Sequence, residues 1–302
     1  FTGAWVAWPQ LVPTRLNGEG GVIAIADLDG DTAQDVLVTS GDSDELFILR
    51  NPSNALGDRE FEVSTVNVGS FPFGVVAADL DENQGLDVAV SNGESDDVWV
   101  FSGGDGVTLS APTMLATGGS EPGFVRAADL DGDGRLDLVT SNHSSAQMSV
   151  LSNLGAGSFA AAETYPVGNG PSSPAAIDLD GDGDLDVVTA NEESATLSVL
   201  FNDGGTFSDG GTIDPGGIPF YVQPLDFDGD GDLDIAVPIE DTAEVAFFAN
   251  DGGTLTEVAR TEVGSSPGSM AAGDFNGDGV TDLVVTNYFS DTVSVLLAQP
   301  AE

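Results

Sequence analysis

The chain has no cysteine and no lysine, and a single histidine. Without cysteine, no disulfide can hold the fold together, so a chain working in an oxidising setting needs another staple. Six arginines face 51 acidic residues, for a formal net charge of -45. That balance excludes nucleic acid as a partner, because phosphate backbones attract basic surfaces. It equally argues against docking on anionic lipid. No apolar run approaches the length a membrane-spanning helix needs, and no stretch shows the 3.6-residue periodicity of an amphipathic helix.

What the chain does have is a repeated acidic loop, D-x-D-x-D-G-x-x-D or a near copy. Its first aspartates are Asp27, Asp79, Asp129, Asp178, Asp226 and Asp274. They recur at about 50 residues, a period that marks a repeat array rather than two ordinary domains. With 40% apolar residues, the chain has ample material for a core.

Each unit carries the same signals in order. A short apolar run such as Val22-Ile23-Ala24-Ile25-Ala26 leads into the acidic loop. A second run follows at once, as in Asp137-Leu138-Val139-Thr140 or Asp234-Ile235-Ala236-Val237. A third run, such as Val98-Trp99-Val100-Phe101, ends in a glycine-rich turn, as in Asn202-Asp203-Gly204-Gly205. A more polar fourth run closes the unit, for example Phe61 to Val66. The runs are short and rich in β-branched residues, so they read as strands joined by hairpins. Four antiparallel strands repeated radially predict an all-β, six-bladed β-propeller. The units fall near 21–72, 73–122, 123–172, 173–220, 221–268 and 269–298, within one domain spanning 1–302. The sixth unit stops after its third strand. Residues 1–20, with the strand-like Ala4-Trp5-Val6-Ala7-Trp8, are expected to supply its fourth and close the last blade.

The loop spacing suits Ca²⁺, a hard cation that takes six to eight oxygens. Alternate residues turn carboxylates inward at the first, third and fifth positions. The seventh offers its carbonyl, and the ninth adds a carboxylate from the next strand. Glycine at the fourth and sixth positions supplies the unusual dihedrals. The expected ligands are Asp129, Asp131, Asp133, Arg135 (carbonyl) and Asp137 in the third unit. They are Asp178, Asp180, Asp182, Asp184 (carbonyl) and Asp186 in the fourth. The fifth unit offers Asp226, Asp228, Asp230, Asp232 (carbonyl) and Asp234. The sixth offers Asp274, Asn276, Asp278, Val280 (carbonyl) and Asp282. The first two units depart from the pattern: Asp27, Asp29, Asp31, Ala33 and Asp35 with Thr32 at a glycine position, and Asp79, Asp81, Asn83, Gly85 and Asp87 with Glu82 and Gln84 at both. All six loops are expected to bind, these two more weakly. The second position is always Leu or Phe (Leu28, Leu80, Leu130, Leu179, Phe227, Phe275) and is expected to plug each loop into the core between blades. The competing readings are plain Asp-Gly turns on an acidic surface, and Mg²⁺, which prefers to keep several waters.

The block D-x-D-G-D-G-x-x-D-[LIV]-x-V, as in Asp178 to Val188, resembles the FG-GAP/VCBS repeat of integrin α-chain propellers and many bacterial surface proteins. Phe73-Gly74 matches its Phe-Gly part, and Pro122-Gly123-Phe124 does so loosely. Its Gly-Ala-Pro part is replaced by Ser91-Asn92-Gly93, Ser141-Asn142-His143 and Thr286-Asn287-Tyr288, closer to the bacterial branch. The resemblance implies Ca²⁺ on one face of the disc and a mostly non-catalytic, extracellular role. It also extends to domains attached to polysaccharide-degrading enzymes.

If the loops occupy one face, aromatic residues on the other mark a partner surface. The candidates are Phe71, Phe73, Phe124, Phe220, Tyr221, Tyr288 and Phe289, with His143 nearby; the competing reading has the phenylalanines wedged between blades. Arg126 and Gln223, each three residues before a loop, are expected at the central channel, with Arg126 neutralising a neighbouring Asp. The reading favoured is a monomeric, secreted, calcium-binding module for a glycan or a surface protein, not an enzyme. Alternatives are a passive display domain of a larger surface protein, or a polysaccharide-acting domain using a carboxylate pair.

Overall fold

The computed structural model describes residues 21–52, 61–103 and 109–298. The first blade comprises β1 (Ile23–Ala26), β2 (Asp35–Ser40), β3 (Glu45–Arg50) and β4 (Glu62–Asn67). The second comprises β5 (Pro72–Ala78), β6 (Asp87–Asn92), β7 (Asp97–Phe101) and β8 (Thr113–Ala116). In the third, β9 (Pro122–Ala128), β10 (Asp137–Asn142), β11 (Gln147–Leu151) and β14 (Glu163–Pro166) form the sheet, while β12 (Asn153–Gly155) and β13 (Ser158–Phe159) form a small hairpin. The fourth blade is β15 (Pro171–Ile177), β16 (Asp186–Asn191), β17 (Thr196–Asp203) and β18 (Thr206–Ile213). The fifth is β19 (Gln223–Leu225), β20 (Asp234–Ile239), β21 (Glu244–Asp251) and β22 (Thr254–Glu262). The sixth holds β23 (Pro267–Gly273), β24 (Asp282–Asn287) and β25 (Thr292–Leu296).

Every sheet is an antiparallel meander in chain order. The first strands of successive blades lie against one another, which makes them the innermost strands of a propeller. The only helical turn among the described residues is a 3-10 turn at His143–Ser145.

The second strand of each blade explains its unbroken apolar sequence. β6, β10, β16 and β20 are buried at every residue, because neighbouring blades cover both faces of the sheet. The core is therefore a series of interblade layers. One of them joins Leu80, Val98 and Val100 of the second blade to Val125, Leu138 and Leu151 of the third.

The plug at the second loop position holds for five loops, whose residue packs into a cluster between blades. Leu80, Leu130 and Leu179 are fully buried. Leu28 and Phe227 are half-buried, and Phe275 is 52% exposed. The buried plugs pack on the blade that follows, and Phe275 belongs to the last one. In that blade β25 is the outer described strand, and its Val293 and Val295, with Leu297 just after it, stand more than half exposed. The fourth strand expected from residues 1–20 lies outside the described residues.

Candidate metal loops and the opposite face

Each acidic loop joins the first strand of its blade to the second. In five loops, three carboxylates converge with ligand atoms all within 4.8 Å of one another. The sets are Asp27, Asp29 and Asp35; Asp79, Asp81 and Asp87; Asp129, Asp131 and Asp137; Asp178, Asp180 and Asp186; and Asp226, Asp228 and Asp230. In the sixth loop Asn276 takes the third position, and its amide donates to Asp278 at 2.9 Å.

The ninth-position aspartate anchors the loop. Its Oδ2 accepts the main-chain N–H of the second-position residue, as in Leu80 to Asp87 at 2.8 Å and Leu179 to Asp186 at 2.9 Å. Its Oδ1 accepts an N–H from the end of the third strand, as in Asn202 to Asp186 at 2.8 Å. Burial raises the pKa of Asp35, Asp87, Asp137, Asp186 and Asp234, partly offset by these N–H donors, while neighbouring loop aspartates push it further up. So many carboxylates in one place repel one another, and a divalent cation among them relieves that repulsion.

In the last four loops the first-position Oδ1 accepts the N–H of the fourth-position glycine, at 2.6 to 2.9 Å. In the first two loops that bond is not made. Asp27 Oδ1 and Asp79 Oδ1 are buried with no hydrogen-bond partner. A buried acceptor without a donor is costly, and an oxygen-seeking cation would satisfy both. Residues at the glycine positions keep the left-handed backbone of glycine. Thr32, Glu82 and Gln84 adopt φ of 75°, 64° and 73°, as their glycine counterparts do, although left-handed geometry costs a side chain roughly 1–2 kcal/mol. Two arginines sit against loop carboxylates: Arg50 on Asp29, and Arg135 on Asp133.

A set of residues absent from the sequence reading ties the loops together. Asn153, Asn202 and Asn250 donate their side-chain amides to the carbonyls of Leu80, Leu130 and Leu179, at 2.8, 2.6 and 2.9 Å. Each asparagine belongs to one blade and each leucine to the loop of the blade before. The main-chain N–H of the same asparagine donates to the ninth-position aspartate of its own loop. Gly205 reinforces the link, since a Cβ there would lie 2.9 Å from Asp131 Cβ. In sequence each of these asparagines stands two residues before a glycine, a mark of the hairpin turn that carries no sign of the bond to the neighbouring blade.

The loops between second and third strands lie at the far end of the strands. There Glu192 is driven upward in pKa, chiefly by burial and also by Glu240 and Glu193, with His143 opposing. His143 itself stands 3.9 Å from Glu121. Beside it, an open cleft of about 350 Å³ is lined by Phe71, Gly93, Glu94, Asp96, Ser120, Glu121 and Ser144. Phe71 takes φ of 56° before Pro72, and its ring lies over Gly41 and Gly93, where any side chain would crowd it. Tyr288 and Phe289 are 76% and 71% exposed and pack on one another at 5.3 Å.

The other aromatic candidates are not on that surface. Phe124 is buried, and it meets Phe73 at 5.1 Å, Phe220 at 6.3 Å and Tyr221 at 5.8 Å. These rings come from the inner segments of the second, third and fifth blades, so they meet at the centre. Arg126 is there too, but it neutralises no aspartate. It donates to the Tyr221 hydroxyl at 2.9 Å and lies over the rings of Phe124 and Tyr221 at 5.3 and 5.7 Å. Gln223 turns to the carbonyl of Pro224 at 3.0 Å.

Blades of this form, with an acidic loop between their first two strands, define a repeat β-propeller with candidate metal loops. The sequence model of the FG-GAP-like repeat matches residues 79–140, 129–189, 178–237 and 226–285, each match opening on the first aspartate of a loop. The chain belongs to the FG-GAP-like repeat family. No curated protein sequence matches it. Among solved structures it is similar to BBS1N, crystallised in complex with ARL6DN, at 14% identity and a TM-score of 0.63, covering 92% of this chain and 81% of that one. It is also similar to an Agrocybe aegerita lectin that specifically recognises non-reducing terminal N-acetylglucosamine, at 19% identity and a TM-score of 0.58, covering 92% and 80%. Virginiamycin B lyase from Staphylococcus aureus gives 11% identity and a TM-score of 0.58, covering 94% and 90%. Likeness at such identities speaks to the fold, which hosts binding proteins and an enzyme alike.

Proposed function

We propose that this chain is a calcium-stabilised, non-catalytic binding module that works outside the cell and takes a glycan through the cleft between its second and third blades. The observation that carries the reading is the composition of that cleft. Phe71 offers a flat apolar face, while Glu94, Asp96 and Glu121 offer carboxylates and Ser120 and Ser144 offer hydroxyls. A sugar presents the complementary pair, an apolar ring face and a rim of hydroxyl donors. The net charge restricts the glycan to a neutral or basic one.

Calcium is the metal the donor set suits, being all oxygen, rich in carboxylate and repeated on a loop of the right length. The aspartates at the first, third, fifth and ninth positions would hold it, and its role is to fix the loops and the blades they join. A surface protein is the second reading. Three carboxylates around one cleft also suit a lysine or arginine side chain.

The test is a glycan array probed with labelled protein in millimolar Ca²⁺, scored for both retention and cleavage, with Glu121→Gln and Phe71→Ala as controls. Retention that both substitutions weaken supports the glycan reading. Retention indifferent to them, cleavage products, or no retention at all would overturn it.

A further inference from the structure

The centre of the propeller holds a cation in an unusual setting. Of the arginines the structure describes, Arg50, Arg135 and Arg260 each pair with a carboxylate. Arg126 does not, in a chain with 51 acidic residues. At the equivalent inner-strand position the other blades carry Ala24, Val76, Ala175, Gln223 and Ala271, all uncharged. One guanidinium N–H is donated to the Tyr221 hydroxyl at 2.9 Å, and the remaining donors have no acceptor among the described residues. The hydroxyl accepts from Arg126, so its own proton is free to be donated, and it too has no acceptor there. Two converging donors, one of them charged, thus sit among the rings of Phe73, Phe124, Phe220 and Tyr221. Arg126, Tyr221, Phe73 and Phe220 are half-buried, so solvent reaches them.

We propose that Arg126 and Tyr221 form a site for an organic carboxylate carried on a flat, apolar body. The planar guanidinium gives two parallel N–H donors to one carboxylate, the arrangement in which arginine surpasses lysine. Tyr221 adds a third donor to the same group. The surrounding rings, which already meet edge to face, offer the stacking surface for the body of the ligand. The chain's overall charge opposes any anion at long range, but at 0.15 M salt that field is screened beyond about 8 Å. Contacts within the site are much shorter, so they decide the outcome. The site is independent of the glycan cleft and of the metal loops.

The probe is benzoate, titrated calorimetrically into the calcium-loaded chain in 0.15 M salt, with acetate and benzamide as comparisons. The expected result is saturable benzoate binding at least tenfold tighter than either. Arg126→Gln should weaken benzoate at least tenfold. Tyr221→Phe, which keeps the ring and removes only the hydroxyl, should weaken it about threefold. Melting temperatures in Ca²⁺ identify any variant that fails to fold, and Tyr221→Phe carries the test if Arg126→Gln does. Acetate equal to benzoate would remove the apolar body from the proposal. Benzamide equal to benzoate would remove the carboxylate. Either result, unchanged binding in a folded variant, or no benzoate binding would overturn it.

Discussion

The side-chain amide of Asn202 donates to the main-chain carbonyl of Leu130 at 2.6 Å, while the main-chain N–H of Asn202 donates to Asp186 at 2.8 Å. Leu130 lies in the acidic loop of the third blade and Asp186 in that of the fourth. One asparagine therefore holds two loops in fixed relation. Asn153 and Asn250 repeat the arrangement on either side, so loops two to five form a continuous chain of contacts.

Asn202→Ala removes the amide from two buried carbonyls, since Asn202 also donates to Leu185 at 3.0 Å. Leaving them without a donor should cost about 2–6 kcal/mol, at roughly 1–3 kcal/mol for each unsatisfied group. Denaturant unfolding in Ca²⁺ measures that loss. Calcium titration of the same variant should show weaker binding in the third and fourth loops together, and an effect confined to one loop would break the proposed coupling.

The second loop holds side chains in left-handed conformations at both glycine positions. Replacing Glu82 and Gln84 with glycine should relieve about 1 kcal/mol at each site, raising both melting temperature and calcium affinity. The reverse change, Gly181→Ala with Gly183→Ala, should lower both, since those glycines sit at φ of 78° and 99°. Affinities of the second and fourth loops left unchanged by these substitutions would show that backbone freedom is not what tunes them.

Glu192 gives a pH test away from the metal loops. Its pKa is raised in the folded chain, chiefly by burial, so the fold binds its proton more tightly than the unfolded chain does. The sign follows from linkage: that contribution is present near the ordinary glutamate value and is lost as pH rises through the raised one. Glu192→Gln should therefore melt higher than the parent chain at pH 7. The gain should vanish at pH 4. A gain equal at both pH values would point to packing instead.

The architecture was legible because its signals repeat. Apolar runs covered on both faces, such as β16, show no alternation, yet recurrence in phase with the acidic loops marked them as strands. The converging carboxylates were legible for the same reason. The Asn153, Asn202 and Asn250 links were not, because a hydrogen bond across a blade boundary joins residues some 70 positions apart and leaves no local pattern. The setting of Arg126 was not legible, because composition favours an acidic neighbour while the inner strands present aromatic rings at the centre. Phe275 shared the sequence pattern of the other plugs and lacked only a covering blade among the described residues.

The exposed apolar edge of β25 bears on ring closure. If residues 1–20 supply the fourth strand of that blade, deleting them leaves Val293, Val295 and Leu297 bare on an open sheet edge. The truncated chain should self-associate on size-exclusion chromatography with light scattering. A truncated chain that stays monomeric and melts unchanged would refute the assignment.

The most direct test of the account is a thermal melt with and without calcium. A site filled at a hundredfold over its Kd adds about 2.7 kcal/mol, and each kcal/mol moves the midpoint by roughly 2–4 °C. With five carboxylate clusters available, chelation should lower the midpoint by more than about 15 °C. Calcium should restore it, while magnesium at equal concentration should do so only weakly. A midpoint that EGTA leaves in place, on protein shown beforehand to carry the metal, would contradict the claim that metal holds this fold.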